Sequence, residues 1–260
     1  MEVEKKANLE SFNKISIEEL FAAGFQYGHK SIKSSPKMKK FVHSIKWGIS
    51  VIDLCQTSVM FAQALDYLFK VVKKGGSVLF LGTKYQSRDL VQKYAKECGQ
   101  YYINKRWLGG SITNYHNTIL TQIKKLEEIE RLEELGILAK YGKKEQVKIA
   151  EKKEKLLSLV EGARTMPKLP DLLIVVDAKK EHIALSEAKI AGIPTIVLAD
   201  TDTPDPSISS HIIPGNDDGF DSVDFFLSKC KSVILEALSQ VEEEPKDKVF
   251  IVNNKEEKQQ

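Results

Sequence analysis

Three short uncharged runs constrain this chain more than any other feature in it. They are Ser77-Val78-Leu79-Phe80-Leu81, Leu172-Leu173-Ile174-Val175-Val176 and Thr195-Ile196-Val197-Leu198-Ala199. A strand with one wet face alternates apolar and polar residues; these runs do not alternate, so both faces must be covered. Strands of that kind belong to parallel sheets with helices packed on both sides. Each run ends at a polar stop: Gly82-Thr83-Lys84, Asp177 and Asp200. Helical spacing follows the first two, over 86–98 and 180–191. The parallel sheet this predicts would take a ligand at the carboxyl ends of its strands, where those stops lie.

Around that sheet the sequence predicts further elements. Residues 15–24 read as a short helix, with Ser16 as N-cap and Glu19 at the capping-box spacing. Residues 41–54 read as two strands around Lys46-Trp47-Gly48, with the glycine in the turn. A helix is expected over 58–73, a strand over 100–103 and a last helix over 220–238, with Asp217 and Asp218 where a helix start favours acids. Between 118 and 162 the β/α alternation stops. Ile119, Ile123, Leu126, Ile129, Leu132 and Leu135 recur every three or four residues, and Val147, Ala150, Leu156, Leu157 and Val160 resume the stripe after Gly136 and Gly142. That is the pattern of an αα-hairpin with a narrow apolar seam and a solvated Lys/Glu face. The expected fold is α/β: a parallel sheet flanked by helices, flavodoxin-like or Rossmann-like, with an inserted, protruding α-helical hairpin. The expected division is an N-terminal tail over 1–15, an α/β domain over 16–117 and 163–240, a hairpin subdomain over 118–162 and a disordered charged tail over 241–260. A chain of 260 residues, 42% hydrophobic, suits one core plus one accessory element.

Net charge is only +3, but its distribution is uneven. No acid lies between Glu19 and Asp53, a window that holds Lys30, Lys33, Lys37, Lys39, Lys40 and Lys46. No acid lies between Glu97 and Glu127 either. Within that second window, Asn104-Lys105-Arg106-Trp107-Leu108-Gly109-Gly110 leads on to Thr113-Asn114-Tyr115-His116. Arg106 can fork onto a phosphate, Trp107 can stack on a base, and the glycine pair lets backbone N–H groups approach an anion. A buried Trp in a tight strand-to-helix turn is the competing reading of the same residues. The candidate RNA-binding residues are Lys37, Lys39, Lys40, Lys84, Arg88, Lys105, Arg106, Trp107, Thr113, Asn114 and His116. Lys84 and Arg88 qualify as one edge of the turn after the first strand.

The C-terminal half is the reverse. Between Lys189 and Lys229 there is no Lys or Arg, but there are seven aspartates: Asp200, Asp202, Asp205, Asp217, Asp218, Asp221 and Asp224. Such a surface would repel a polyanion, so it is expected to face away from RNA, toward solvent, a basic protein or a divalent cation. His29 with Asp200 and Asp205, and Asp202 beside them, offers imidazole and carboxylate ligands if the N-terminal turn folds over that strand end. No other cofactor is expected.

Catalytic signatures are missing. Gly82-Thr83-Lys84 lacks the glycine spacing of a phosphate loop, and neither GxGxxG nor GxSxG occurs. Asp177, Glu181 and His182 could serve as acid–base groups, but helix-start acids and a surface His explain them more simply. Cys55, Cys98 and Cys230 form no CxxC and read as reduced thiols. The apolar runs are too short to cross a bilayer, and residues 1–10 lack the apolar stretch of a secretory signal.

Several short motifs in one order resemble the bacterial-type small-subunit ribosomal protein number two family. They are Gly24-Phe25-Gln26-Tyr27-Gly28-His29, Pro36-Lys37-Met38-Lys39, Ile52-Asp53-Leu54, Phe80-Leu81-Gly82-Thr83-Lys84 and Asn104 through Gly110 with Thr113-Asn114. Pro170-Asp171, Lys180-Glu181-His182-Ile183-Ala184 and Ile213-Pro214-Gly215-Asn216-Asp217-Asp218 complete the series. The likeness spans about 16–230. Two stretches depart from it: Asp200-Thr201-Asp202-Thr203-Pro204-Asp205-Pro206 is one residue longer than the family's usual form, and Thr165-Met166-Pro167-Lys168 stands where members often carry glycines. The resemblance implies a non-catalytic constituent of the small ribosomal subunit, on its outer side between head and body. It implies contacts to small-subunit rRNA through both the sheet domain and the hairpin, contacts to other small-subunit proteins, and a role in docking the mRNA-binding ribosomal protein number one. It places the chain on cytoplasmic ribosomes or on those of an organelle matrix, with no membrane partner. The alternatives are a sugar-phosphate or nucleotide-binding enzyme of this sheet type, and a coiled-coil adaptor acting through the hairpin alone.

Overall fold

The computed structural model describes residues 15–243. The expected tails lie outside these residues, apart from Ile15 and the helical residues 241–243.

Helix α1 (Ile17–Ala22) starts as its capping box dictates: the Ser16 hydroxyl accepts from the Glu18 N–H at 3.2 Å, and the Glu19 carboxylate accepts from the Ser16 N–H at 3.4 Å. A small antiparallel sheet follows, from β1 (Tyr27–Lys30), β2 (Val42–Lys46) and β3 (Ile49–Ile52), in the order β1-β3-β2. The hairpin β2–β3 is where the turn signal put it. Strand β1 carries no such signal, because Tyr27-Gly28-His29-Lys30 has neither apolar alternation nor β-branched residues. It is held by pairing with β3 and by the strand ends beyond. A Cβ on Gly28 would come within 2.8 Å of Thr201 and 2.9 Å of the Ser50 carbonyl, so only glycine allows β1 to lie there.

The main sheet comprises β4 (Val78–Leu81), β5 (Tyr101–Ile103), β6 (Leu172–Val176), β7 (Thr195–Ala199) and β8 (His211–Pro214), in the order β5-β4-β6-β7-β8. All four neighbouring pairs are parallel. Counted among themselves the strands run 2-1-3-4-5, the order of flavodoxin-like sheets. Strand β8 is an addition to the sequence reading, which assigned no element between the strand at 195–199 and the helix at 220–238. Ile212 and Ile213 supply a strand, and Pro214 is tolerated because β8 is an edge.

Side chains leave each strand alternately to two cores. Val78, Phe80, Leu172, Ile174, Val176, Ile196 and Leu198 face one, and Leu79, Leu81, Leu173, Val175, Val197 and Ala199 face the other. Helices α2 (Leu54–Lys73), α3 (Tyr85–Glu97) and α7 (Phe220–Glu243) cover the first face, with Phe61, Leu65, Val91, Phe226 and Ile234 fully buried there. Helix α6 (His182–Ala191) covers the second through Ala184, Leu185 and Ala188, joined by Met38, Phe41, Trp107 and Ile112.

Helices α4 (Tyr115–Glu134) and α5 (Lys143–Val160) pack on each other where the broken stripe was read. Gly136 turns between them at φ +67°. Ile119, Ile123, Leu126, Ile129, Leu156 and Val160 form their shared core, but Leu135, Val147 and Leu157 are exposed. With Leu135 and Val147 out, the seam closes over the half nearer the sheet, where Leu157 points off it. Arg164 grips Glu130 there with two hydrogen bonds, 3.0 and 2.6 Å. The chain re-enters the sheet domain through Gly162, where a Cβ would fall 2.2 Å from the Tyr102 carbonyl oxygen.

Candidate nucleic-acid interface

A parallel sheet brings its strand ends to one rim. Here the rim carries the turn after β4, the loop after β5, and the acidic loops after β6, β7 and β8. Charge is sorted along it, with exposed cations at the β5 end and carboxylates toward β8.

The loop after β5 is pinned by a residue that the sequence reading missed. Glu187 on α6 accepts five hydrogen bonds: from the Trp107 indole N–H at 3.1 Å, Gly110 N–H at 2.8 Å, Ile112 N–H at 3.0 Å, Thr113 N–H at 3.3 Å and the Thr113 hydroxyl at 3.4 Å. Burial pushes this carboxyl up, but the donors around it outweigh burial and hold it below its usual range. The window from 98 to 126 is thus free of acid in sequence only. Trp107 is corrected accordingly: only 9% exposed, it lies in the second core with its N–H satisfied and offers no face to a base.

On the outer side of the pinned loop, Lys105 and Arg106 are exposed, and among the described residues neither pairs with an acid. Thr113, Asn114 and His116 are exposed beside them. The Thr113 hydroxyl is turned to Glu187, and the Asn114 side-chain oxygen accepts from Asn117 at 3.0 Å. His116 lies in the first turn of α4, which begins three residues before the expected start of the hairpin.

Lys84 sits at the turn after β4, but its ammonium meets Asp177 at 2.8 Å, Asp217 at 2.7 Å and Asp218 at 2.7 Å. Burial pushes Lys84 down, and the three carboxylates more than offset it and keep the ammonium charged. Burial and repulsion from Asp177 push the Asp217 carboxyl up, against the pull of Lys84. Lys84 is therefore an internal counter-ion rather than an open anion site. Arg88 donates its Nε–H to the Thr83 carbonyl at 2.8 Å and is partly exposed.

The acid–base trio is also committed to structure. Asp177, in the left-handed region at φ +77°, accepts from the N–H groups of Lys179 at 3.0 Å and Lys180 at 2.9 Å. Glu181 accepts from the Thr83 N–H at 3.2 Å and from its hydroxyl. His182 is exposed against the Lys179 carbonyl.

The acidic window draws cations from elsewhere in the chain. Lys37 meets Asp205 at 2.7 Å and Lys179 meets Asp202 at 2.9 Å. His29 Nδ1 lies 2.6 Å from Asp200, with Asp218 3.3 Å and Asp202 3.6 Å from Nε2. The hydrogen bond to Asp200 pushes His29 up, against partial burial, to about 9. His29, Asp200 and Asp218 offer ligand atoms within 4.8 Å of one another. Asp205, expected in that set, is not part of it; it is tied to Lys37 and caps the turn at Ser207. Lys39 and Lys40 are exposed, Lys40 over the Phe41 ring.

A family model described as Ribosomal protein S2 matches residues 20–237. The chain belongs to the ribosomal protein S2 family. It is similar to the small ribosomal subunit protein uS2 of Rickettsia felis, 40% identical over 227 residues that make 87% of this chain and 76% of the relative. It is also similar to that of Nitratiruptor sp., 39% identical over 230 residues, 88% and 85% of the two chains.

In this S2-family chain, a signal for Glu187 did exist. It stands on the apolar face of its helix between Ala184 and Ala188, and an acid on such a face needs donors. Asp218 gave no comparable signal, because a second acid at a helix start is ordinary.

Proposed function

We propose that this chain contacts small-subunit rRNA through the β5 end of the rim, with Lys105 and Arg106 on backbone phosphates and Arg88, Asn114 and His116 around them, and through Lys39 and Lys40. As a member of the ribosomal protein S2 family, the chain is a structural, non-enzymatic protein of the small ribosomal subunit, associated with its rRNA and proteins. The observation that carries the finer reading is the loop after β5: two exposed cations without acidic partners among the described residues, on a loop fixed to Glu187 by five hydrogen bonds, three of them from backbone N–H groups. A cation held on a rigid loop loses little entropy on meeting a phosphate.

Helix α5 serves as a second contact arm, supported by its exposed Lys143, Lys144, Lys148, Lys152 and Lys155. Docking of the mRNA-binding ribosomal protein number one belongs to the same reading, and the bacterial sources of the relatives favour a bacterial cytoplasm. The test is Arg106→Glu. The variant should melt as the wild type does, since Arg106 is exposed, yet enter small subunits poorly at physiological salt. Normal incorporation would remove this loop from the RNA surface.

A further inference from the structure

The two tryptophans divide the chain's aromatic work in a way the sequence does not announce: Trp107 is buried, and Trp47 is 99% exposed. Trp47 stands at the tip of the hairpin β2–β3. The last paired residues are Lys46 and Ile49, which leaves Trp47-Gly48 as a two-residue loop. Both loop residues have positive φ, +48° and +77°, the signature of a type I′ turn. Asn-Gly is favoured there because Asn tolerates that backbone region. Bulky residues rarely adopt it. A tryptophan at this position thus accepts a strained backbone and a fully hydrated ring, and burial repays neither cost.

We propose that the β2–β3 hairpin is a finger for unpaired RNA, with Trp47 stacking on a base and the groove at the hairpin's root receiving the adjoining phosphate. The proposal rests on the reading of this chain as an rRNA-binding protein and adds to it a specific element that recognises single strands. The groove, about 470 Å³, is lined by Ser31, Ser34, Lys39, His43, Ser44 and Ile45 among others. The Ser44 hydroxyl is buried with no hydrogen-bond partner among the described residues. Hydroxyl donors, a lysine and an imidazole in the groove, with an open aromatic ring at the tip of the same hairpin, match a nucleotide's backbone and base together. The charge around the finger selects the partner class. Lys30, Lys33, Lys39 and Lys46 are all exposed, and no acid occurs between Glu19 and Asp53. Protein interfaces are depleted of lysine, whereas a polyanion is drawn to it. Stacking requires an unpaired base, so a loop or bulge fits and a regular duplex does not.

The test uses full-length protein added back to small subunits stripped of it, with binding followed by sedimentation over a salt series. Trp47→Asn suits the turn better than the native residue, so it should fold at least as well. It should bind five- to a hundredfold more weakly, the worth of one stacked base, with an unchanged slope of log affinity against log salt. Trp47→Phe should keep most of the affinity. Lys39→Ala should lower the salt slope by about one. If Trp47→Asn binds as the wild type does, the finger is wrong while the wider reading stands. If the wild type itself does not bind, the wider reading fails first. Crosslinks from 42–50 to protein rather than to nucleotides would also overturn the finger.

Discussion

Glu187 offers the sharpest test of how the cationic loop is built. Glu187→Ala removes the acceptor of five hydrogen bonds. Two of the donors, the Trp107 indole N–H and the Ile112 N–H, belong to buried residues. Each buried donor left unmet costs about 1–3 kcal/mol. The Gly110 and Thr113 groups lie nearer the surface and can hydrate. Relief of the carboxylate's own desolvation offsets part of the loss, which leaves a net cost of about 3–4 kcal/mol. For a domain of this size each kcal/mol shifts Tm by about 2–4 °C, so Tm should fall by roughly 10 °C. Glu187→Gln keeps the shape but turns an amide NH2 toward N–H donors, and should cost about half as much. Circular dichroism gives the melting curve, and the emission of the buried Trp107 reports the loop. A Glu187→Ala variant that melts within about 2 °C of the wild type would refute the pinning role. The pH dependence supplies a second check. The Glu187 carboxyl is held below its usual 4.5, so its contribution is present above that value and is lost as pH falls through the lower folded one. The gap between Glu187→Gln and wild type should therefore narrow in acid.

Lys84→Met should cost about 3–5 kcal/mol in denaturant unfolding, because Asp177 and Asp217 are left buried without their cation, and it should leave the salt dependence of subunit binding unchanged. The triple variant of Lys37, Lys39 and Lys40 to Ala should flatten the salt slope by about two rather than three, since Lys37 is already held by Asp205; an unchanged slope would exclude all three from phosphate contact. In chelator-treated protein, His29 contributes stability that is complete below its ordinary pKa of 6.5 and lost as pH rises through about 9. The loss should be about 1–2 kcal/mol after solvent screening, and His29→Gln, which cannot titrate, should abolish the pH slope. A divalent cation on His29, Asp200 and Asp218 must displace that proton, so zinc titration should release protons in calorimetry, and His29→Ala should remove the effect.

The main sheet could be read from sequence because a strand buried on both faces has an unmistakable pattern: 77–81, 172–176 and 195–199 were identified by the absence of polar alternation alone. The capping box at Ser16 and the turn at Trp47-Gly48 were equally local. What the sequence did not show was determined by distant partners. Strand β1 exists because β3 and the end of β7 receive it; of Tyr27-Gly28-His29-Lys30 only Tyr27 favours a strand, and one such residue makes no pattern. Strand β8 was hidden by its brevity and by Pro214. The same holds for charge. A window without acid around Arg106 gains Glu187, 75 residues or so away in sequence, and a window without cations gains Lys37, Lys84 and Lys179. Windows of charge along a chain are therefore poor guides to surface potential wherever a sheet rim gathers loops from distant segments. The loop after β5 survived as a cationic surface only because Glu187 points inward and Lys105 and Arg106 point out.

The rim also explains, in physical terms, why a sheet of this type need not bind a small ligand. In a sheet ordered 2-1-3-4-5 the crevice for ligands opens between the first and third strands, here β4 and β6. That position holds Lys84, and Lys84 already holds Asp177, Asp217 and Asp218. A phosphate arriving there would have to displace carboxylates built into two loops, Asp177 after β6 and Asp217 with Asp218 after β8, and would meet the uncompensated charge of whichever remained. At 3–4 Å separations in a partly buried site that repulsion is worth several kcal/mol, and salt screens it little inside a Debye length of about 8 Å. The cost falls away toward β5, where Lys105 and Arg106 face solvent without an acidic neighbour among the described residues. The network closes the crevice to a nucleotide by neutralising Lys84 rather than by removing it, and it leaves Lys105 and Arg106 as the exposed cations at the flank of the sheet.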